Sequence, residues 1–321
     1  MIRAMNKKGF EMSFAWLFAI IVGMVILFFA IFAVTKIMKT EEGILDVRTS
    51  KEFQILLNPL ETSFESAIAT SITFPVETQI INVCDNRSSL PFGSQKIKIN
   101  QKSFGKFTKT DLDVKGFPNK YILTEKIIQG KKFYLFSKPF EFPFKVANLI
   151  YMVPSEKHYC FGEMNEDDLD NIKDELEDLN KGNFYFEDDG KVHPENCIEI
   201  CFNGNCDGIE VNYQEGKGYV TKNGKTMDVI GDTLMLGAIF SEKEIYDCEV
   251  QRLMLRVGSL AKLYKEKINF VSRANCNSNL GSQLDSLFEK TQNYNGDLTE
   301  INNALVEPIR EIHKEADCKL W

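Results

Sequence analysis

Histidine is scarce in this chain, with three residues in 321, and tryptophan is scarcer still, with two. So few imidazoles leave little material for histidine-based proton transfer or a zinc centre. His158, His193 and His313 are also far apart in sequence. No Walker loop, dinucleotide fingerprint, HExxH helix or nucleophile elbow occurs. No catalytic residue and no cofactor is therefore assigned. Positive charge is in deficit: 38 basic against 46 acidic residues give a net charge of -8. That argues against a nucleic-acid partner recruited by a basic surface. Charge of either sign is missing altogether from Met12 to Val34. What the chain has in quantity is phenylalanine, 25 residues, within a composition that is 44% hydrophobic and 26% charged. Such a balance excludes a wholly disordered or fibrous chain, and the length leaves room for two ordinary domains.

The uncharged run MSFAWLFAIIVGMVILFFAIFAV is long enough to cross a bilayer, which takes about 20 apolar residues. It exceeds the roughly 7–15-residue apolar region of a cleavable signal. A transmembrane helix is thus expected over 12–36, preceded by a basic segment over 1–11. Arg3, Lys7 and Lys8 precede the span; Lys36 and Lys39 follow it. The rule that basic residues stay inside favours a cytoplasmic N-terminus and an extracytoplasmic body, on a modest asymmetry. Of the 38 basic and 46 acidic residues, four and one precede Ile37; the 34 and 45 that remain give the body a net charge of -11. An acidic body suits the outer face better than the anionic cytoplasmic leaflet. The membrane is the expected partner.

Lys7-Lys8-Gly9-Phe10-Glu11 followed at once by an apolar helix resembles the start of archaeal type IV pilin-like precursors. The resemblance implies peptidase cleavage between Gly9 and Phe10, with the helix as a polymerisation stem and other filament or surface subunits as partners. It covers only about the first 35 residues. It departs from the bacterial pattern, since Glu11 is the second residue after the cut rather than the fifth. The body is similar in general look to uncharacterised membrane-anchored archaeal surface proteins.

Cys84, Cys160, Cys197, Cys201, Cys206, Cys248, Cys276 and Cys318 all follow the apolar span. An even number beyond an anchor points to disulfides in an oxidising compartment. Asn203-Gly204 is the signature of a two-residue type I′ hairpin; it would set Cys201 and Cys206 opposite one another, within bonding reach. The zinc alternative takes His193, Cys197, Cys201 and Cys206, whose spacing fits the usual ligand pattern only loosely. A second bridge, Cys248–Cys318, is expected from an antiparallel pairing of the last two helical regions. The partners of Cys84, Cys160, Cys197 and Cys276 stay open.

The expected organisation is α+β. A helical neck over 37–74 is broken at Pro59 into two short helices, with Phe53, Leu56, Leu57, Leu60, Phe64 and Ile68 on their apolar face. A β-rich body over 75–240 follows. Its strands include Thr78 to Cys84 and Gln95 to Asn100. Tyr121 to Ile128 and Lys132 to Ser137 read as a hairpin about Gln129-Gly130. Phe133, Phe136, Phe140, Phe142 and Phe144 read as core. Asn165 to Asn180 reads as an amphipathic helix with Leu176 on its buried stripe. Asn203-Gly204 and Asn223-Gly224 suggest a four-stranded antiparallel meander over Ile198 to Ile230. Asp232 to Phe240 is ambiguous. A helical region over 241–321 packs on the body, with a seam of Val250, Leu253, Val257, Leu260 and Tyr264 and a kink at Pro308. Asn86-Arg87-Ser88 is an N-glycosylation sequon in a turn. The function expected is a single-pass, membrane-anchored structural or binding protein of the cell surface; the alternatives are a pilin-like subunit or an anchored exoenzyme.

Overall fold

In the computed structural model, α1 is a single helix, Phe14–Leu56. The structure describes residues 14–57, 68–87, 90–103, 105–108, 116–162, 173, 176, 183–186, 192–204, 206–274, 276–316 and 318–321; of 37–56, 68 and 69 it describes the backbone only. The expected break into two neck helices therefore falls at Pro59, outside the described residues. Ile68, placed on the helical face by spacing, instead opens strand β1. Its β-branched run, Ile68-Ala-Thr-Ser-Ile-Thr, favours the pleated form once a partner strand is present.

The body is mixed α+β, as expected. Strands β1 (Ile68–Asp85), β2 (Ser94–Ser103), β3 (Lys106–Phe107), β4 (Tyr121–Leu123), β5 (Ile127–Glu141) and β6 (Lys145–Pro154) form one sheet in the order β3-β2-β1-β5-β6-β4. A second sheet has the order β12-β11-β10-β9-β7-β8, from β7 (His158–Phe161), β8 (Phe184–Phe186), β9 (Cys197–Phe202), β10 (Ile209–Gln214), β11 (Lys217–Lys222) and β12 (Lys225–Ile230).

Alternation along β5 explains why the first sheet is covered on both faces. Phe133 and Leu135 point into one core with Leu57, Phe74, Ile80, Ile97 and Ile150. Tyr134 and Phe136 point the other way, into the larger core shared with the second sheet and the helices. Phe140, Phe142 and Phe144 also lie in that larger core, so the aromatic run is packing material. Leu57, directly after α1, joins the smaller core and ties the helix to the sheet.

The expected hairpin at Gln129-Gly130 does not form. β5 runs straight through Gly130 and pairs with β1 and β6, while β4 pairs parallel with β6. An 18-residue β1 offers β5 a longer antiparallel partner than the three residues of β4. The interior side chains of Asn82 and Gln95 fix β4 in place: Asn82 Nδ2 donates to Ile122 O, and the Ile122 N–H donates to Gln95 Oε1.

The second sheet holds a correction as well. β10, β11 and β12 form an antiparallel meander. Its β11–β12 turn is Asn223-Gly224, with φ of 54° and 70°, the left-handed pair that a type I′ turn requires. β9, however, runs parallel to β10. Asn203 does adopt a positive φ of 53°, but its N–H donates to Val211 O and its Oδ1 accepts from the Tyr213 N–H, so it joins the loop to the wrong strand for a hairpin. Gly208 permits this path: a Cβ there would stand 2.1 Å from Glu199 O.

The ambiguous segment is helix α2 (Gly231–Phe240). Leu234 to Phe240 are all buried. An element apolar on every side carries no period from which to read its type. Helices α3 (Lys243–Val271), α4 (Gly281–Gln292), α5 (Leu298–Ile301) and α6 (Glu307–Glu315) complete the chain. The kink expected at Pro308 takes the form of a π turn over Asn302–Val306. Proline lacks the N–H that would bond the carbonyl four residues back, and its ring crowds that carbonyl. The amphipathic segment 165–180 lies mostly outside the described residues; Lys173 and Leu176 are helical and Leu176 is buried.

Candidate functional site

The most distinctive chemical surface is the first half of α1. Phe14–Lys36 has a mean hydropathy of 3.1 and none of it is buried. At 1.5 Å per residue its 23 residues span about 35 Å, against about 30 Å of bilayer hydrocarbon. Phe14, Trp16, Met24 and Phe28 are each at least 65% exposed. Every large apolar side chain left in water forgoes about 1.5–3 kcal/mol, so such a surface calls for a nonpolar surrounding. The helix is long and apolar enough to be a membrane anchor or a signal. Beyond Lys36 it continues without a break to Leu56.

All eight cysteines are bonded: Cys84–Cys248, Cys160–Cys197, Cys201–Cys206 and Cys276–Cys318. Four disulfides are compatible with an extracytoplasmic body. Cys201 and Cys206 bridge the loop after β9 rather than facing strands, with Cα atoms 6.2 Å apart. Cys160 and Cys197 staple the parallel strands β7 and β9. The expected Cys248–Cys318 bridge is corrected. Between α3 and the last helix lies α4, which runs back along α3: Lys265 pairs with Asp285, and Gly258 lies against Thr291. This second reversal returns the chain end to the far end of α3, where Cys318 meets Cys276. Cys248, near the start of α3, bonds Cys84 at the end of β1 instead.

The zinc alternative needs thiolates. Cys197, Cys201 and Cys206 are each joined to another sulfur. Glu199, Cys201 and Cys206 have donor atoms close enough to surround an ion, but a disulfide offers no thiolate. His193 rests against Tyr185, ring centroids 5.9 Å apart, and His158 approaches the same ring at 5.7 Å. The sequence does not reveal that these two histidines flank one tyrosine, because β7 and β8 pair across the 22 residues from 162 to 183. His313 stacks on Trp321 with centroids 3.8 Å apart. Its Nε2 accepts the Leu320 N–H at 3.0 Å and so pins the C-terminus beside the Cys276–Cys318 bridge. Burial and Lys319 hold its pKa below the ordinary value.

No family model, curated protein or solved structure matches the chain.

A fully buried ion pair lies at the junction of α3 with the first sheet. Arg252 and Glu249 are both fully buried. The guanidinium donates from Nε to Phe92 O at 2.9 Å and from Nη1 to Lys120 O at 3.0 Å and Glu249 Oε2 at 2.6 Å. Nη2 donates to Phe117 O and Pro118 O. The Tyr121 ring covers it at 4.7 Å. Every donor but one thus meets a backbone carbonyl of the 92 and 117–120 segments, which makes this a clasp and not a reaction centre. Burial pushes the Glu249 carboxyl up to about 7, against the opposing pull of Arg252. Asn86 sits at the edge of the same junction, half-buried, with Nδ2 on Gln251 Oε1.

A cleft of about 480 Å³ opens beside this junction, lined by Asp228, Asp247, Lys243, Gln251 and Tyr294. Burial raises the Asp228 pKa first, helped by the charges of Asp297 and Asp247. Burial also raises the Tyr294 pKa, which removes it as a phenolate base. Lys243 is tied to Asp247 at 3.0 Å. Its lining among the described residues is acids, amides, a lysine and the hydroxyls of Thr226 and Tyr294, a surface suited to polar contact.

Proposed function

We propose that this chain is a single-pass, membrane-anchored structural or binding protein of the cell surface, with a cytoplasmic N-terminus and an extracytoplasmic body carrying a glycan at Asn86. One observation carries the reading: a bare apolar helix of bilayer length leads into a body whose eight cysteines are all oxidised. The acidic body and the basic residues before the span support the orientation. Alkaline carbonate is expected to leave the chain in the membrane pellet; release into the supernatant overturns the anchor.

A second reading, a pilin-like filament subunit, is favoured by a specific feature. α1 continues as an unbroken stem for 20 residues past Lys36, and the next residue, Leu57, is packed into the body. Sequencing the mature N-terminus tests this reading. A start at Phe10 is expected for a processed subunit. A start at or near Met1 removes the filament reading and leaves the anchored one standing.

A further inference from the structure

Strand β12 ends the second sheet and has a strand neighbour on one side only. Its Asn223-Gly224 turn makes Lys222 and Lys225 the hydrogen-bonded pair beside it. Alternation from there gives the backbone groups of Met227 and Val229 to β11 and turns those of Thr226 and Asp228 outward. The Tyr246 hydroxyl on α3 fixes the direction, since it donates to Asp228 O at 2.6 Å. Among the described residues nothing accepts from the N–H of Thr226 or of Asp228. Both residues are exposed, and both line the cleft of about 480 Å³.

Proteins blunt an open sheet edge with charge, proline or a covering element. Toward Ile230 the cover here is α5, which packs against β12. Beside Thr226 and Asp228 the edge instead opens into the cleft, whose opposite wall is α3 with Lys243, Asp247 and Gln251. Lys243 is engaged by Asp247 at 3.0 Å. Asp228 is left without a cation at hydrogen-bond distance and feels the negative charges of Asp297 and Asp247. The floor of the cleft thus offers main-chain donors, and its walls carry net negative charge.

We propose that this cleft takes up an extended segment of a partner protein, bearing lysine or arginine, which adds to β12 as a further strand. The Thr226 and Asp228 N–H groups donate to guest carbonyls two residues apart, and Thr226 O accepts from a guest N–H. A basic guest side chain opposite Asp228 meets its carboxylate. Only such a guest answers both halves of the site. A metal ion or a free amine satisfies the acids and leaves the edge donors unmet, while an anion satisfies the donors and is repelled by the acids. A second copy pairing edge to edge would bring two acidic clefts together.

The inference rests on the geometry of the body alone, so its failure leaves the anchored reading untouched. The test is fluorescence anisotropy of labelled peptides titrated with the full chain in uncharged detergent. The probes are an alternating lysine–valine hexapeptide, its glutamate–valine counterpart, and the lysine–valine peptide N-methylated at every residue, which keeps its charge and loses strand pairing. Saturable binding of the first is expected, weakened about ten-fold or more by N-methylation, with none by the glutamate peptide. Thr226→Pro, a change that an edge strand tolerates, should weaken binding about ten-fold. Asp228→Asn should weaken it about three-fold, and Glu215→Gln at the β10–β11 turn should leave it unchanged. Should Thr226→Pro not fold, the methylated peptide decides. Absence of saturable binding overturns the proposal, as does binding that N-methylation does not weaken or that the glutamate peptide matches. Dimerisation of the chain that Thr226→Pro abolishes would assign the edge to a second copy and overturn it too.

Discussion

Removing the Cys84–Cys248 bridge by the double change Cys84→Ala/Cys248→Ala is expected to lower the stability of the body by about 5 kcal/mol in the chain-entropy model. The bond closes the largest loop in the molecule among the four, with a separation of 164 residues. It joins the end of β1 to the start of α3, so without it the first sheet and the helices are held together by packing, the Arg252 clasp and single hydrogen bonds such as Tyr151 to Thr233 and Arg310 to Glu141. For a body of this size the loss corresponds to a fall in Tm of about 10–20 °C. The matching change at Cys201 and Cys206, separated by five residues, should cost about 2 kcal/mol by the same reasoning. Thermal unfolding of the full chain followed by near-ultraviolet circular dichroism measures both. Equal effects from the two pairs would contradict this account of what the long bridge does.

Arg252→Ala is expected to destabilise by about 3–5 kcal/mol, the usual cost of stripping one partner from a buried ion pair. The substitution leaves the buried Glu249 carboxyl without its partner, and it takes the guanidinium donors from the carbonyls of Phe92, Phe117, Pro118 and Lys120. Arg252→Lys should rescue little of this, since three donors on one nitrogen cannot reproduce a planar fork. Glu249 supplies a pH signature. Its folded pKa, about 7, lies above the ordinary 4.5. Its contribution is therefore fully present below about pH 4.5 and is lost as pH rises through 7, because the folded state holds the proton that the unfolded state has released. Stability should decline across that window in the parent chain and show a flatter course in Glu249→Gln. In Arg252→Ala, burial acts unopposed and the decline extends to higher pH. A parent stability that rises between pH 4.5 and 7 with the same slope in Glu249→Gln would contradict the assignment.

Local patterns with a single physical solution were legible in the sequence. An uncharged apolar run of 23 residues forms a helix of bilayer length, and Asn223-Gly224 between two alternating strands has one turn type. The period of α3 was equally clear. Elsewhere a correct local signal met a stronger distant one. Gly130 looked like a turn, yet β1 recruited the whole of β5. Asn203 adopted the conformation that a turn needs, and the chain still left on the parallel side of β9. Cys318 meets Cys276 and not Cys248 because α4 intervenes, and one extra helix reverses the end of the chain. The Arg252 clasp was missed although it left a trace: Glu249 and Arg252, three residues apart, fall beside Val250 and Leu253 on the stripe that the helix buries.

Protease added to intact cells tests the central claim, an anchored body outside the membrane, most directly. The account expects the body to be degraded and the fragment around Phe14–Lys36 to be spared, with no need for lysis. A body protected until the cells are broken would place it in the cytoplasm and contradict the orientation.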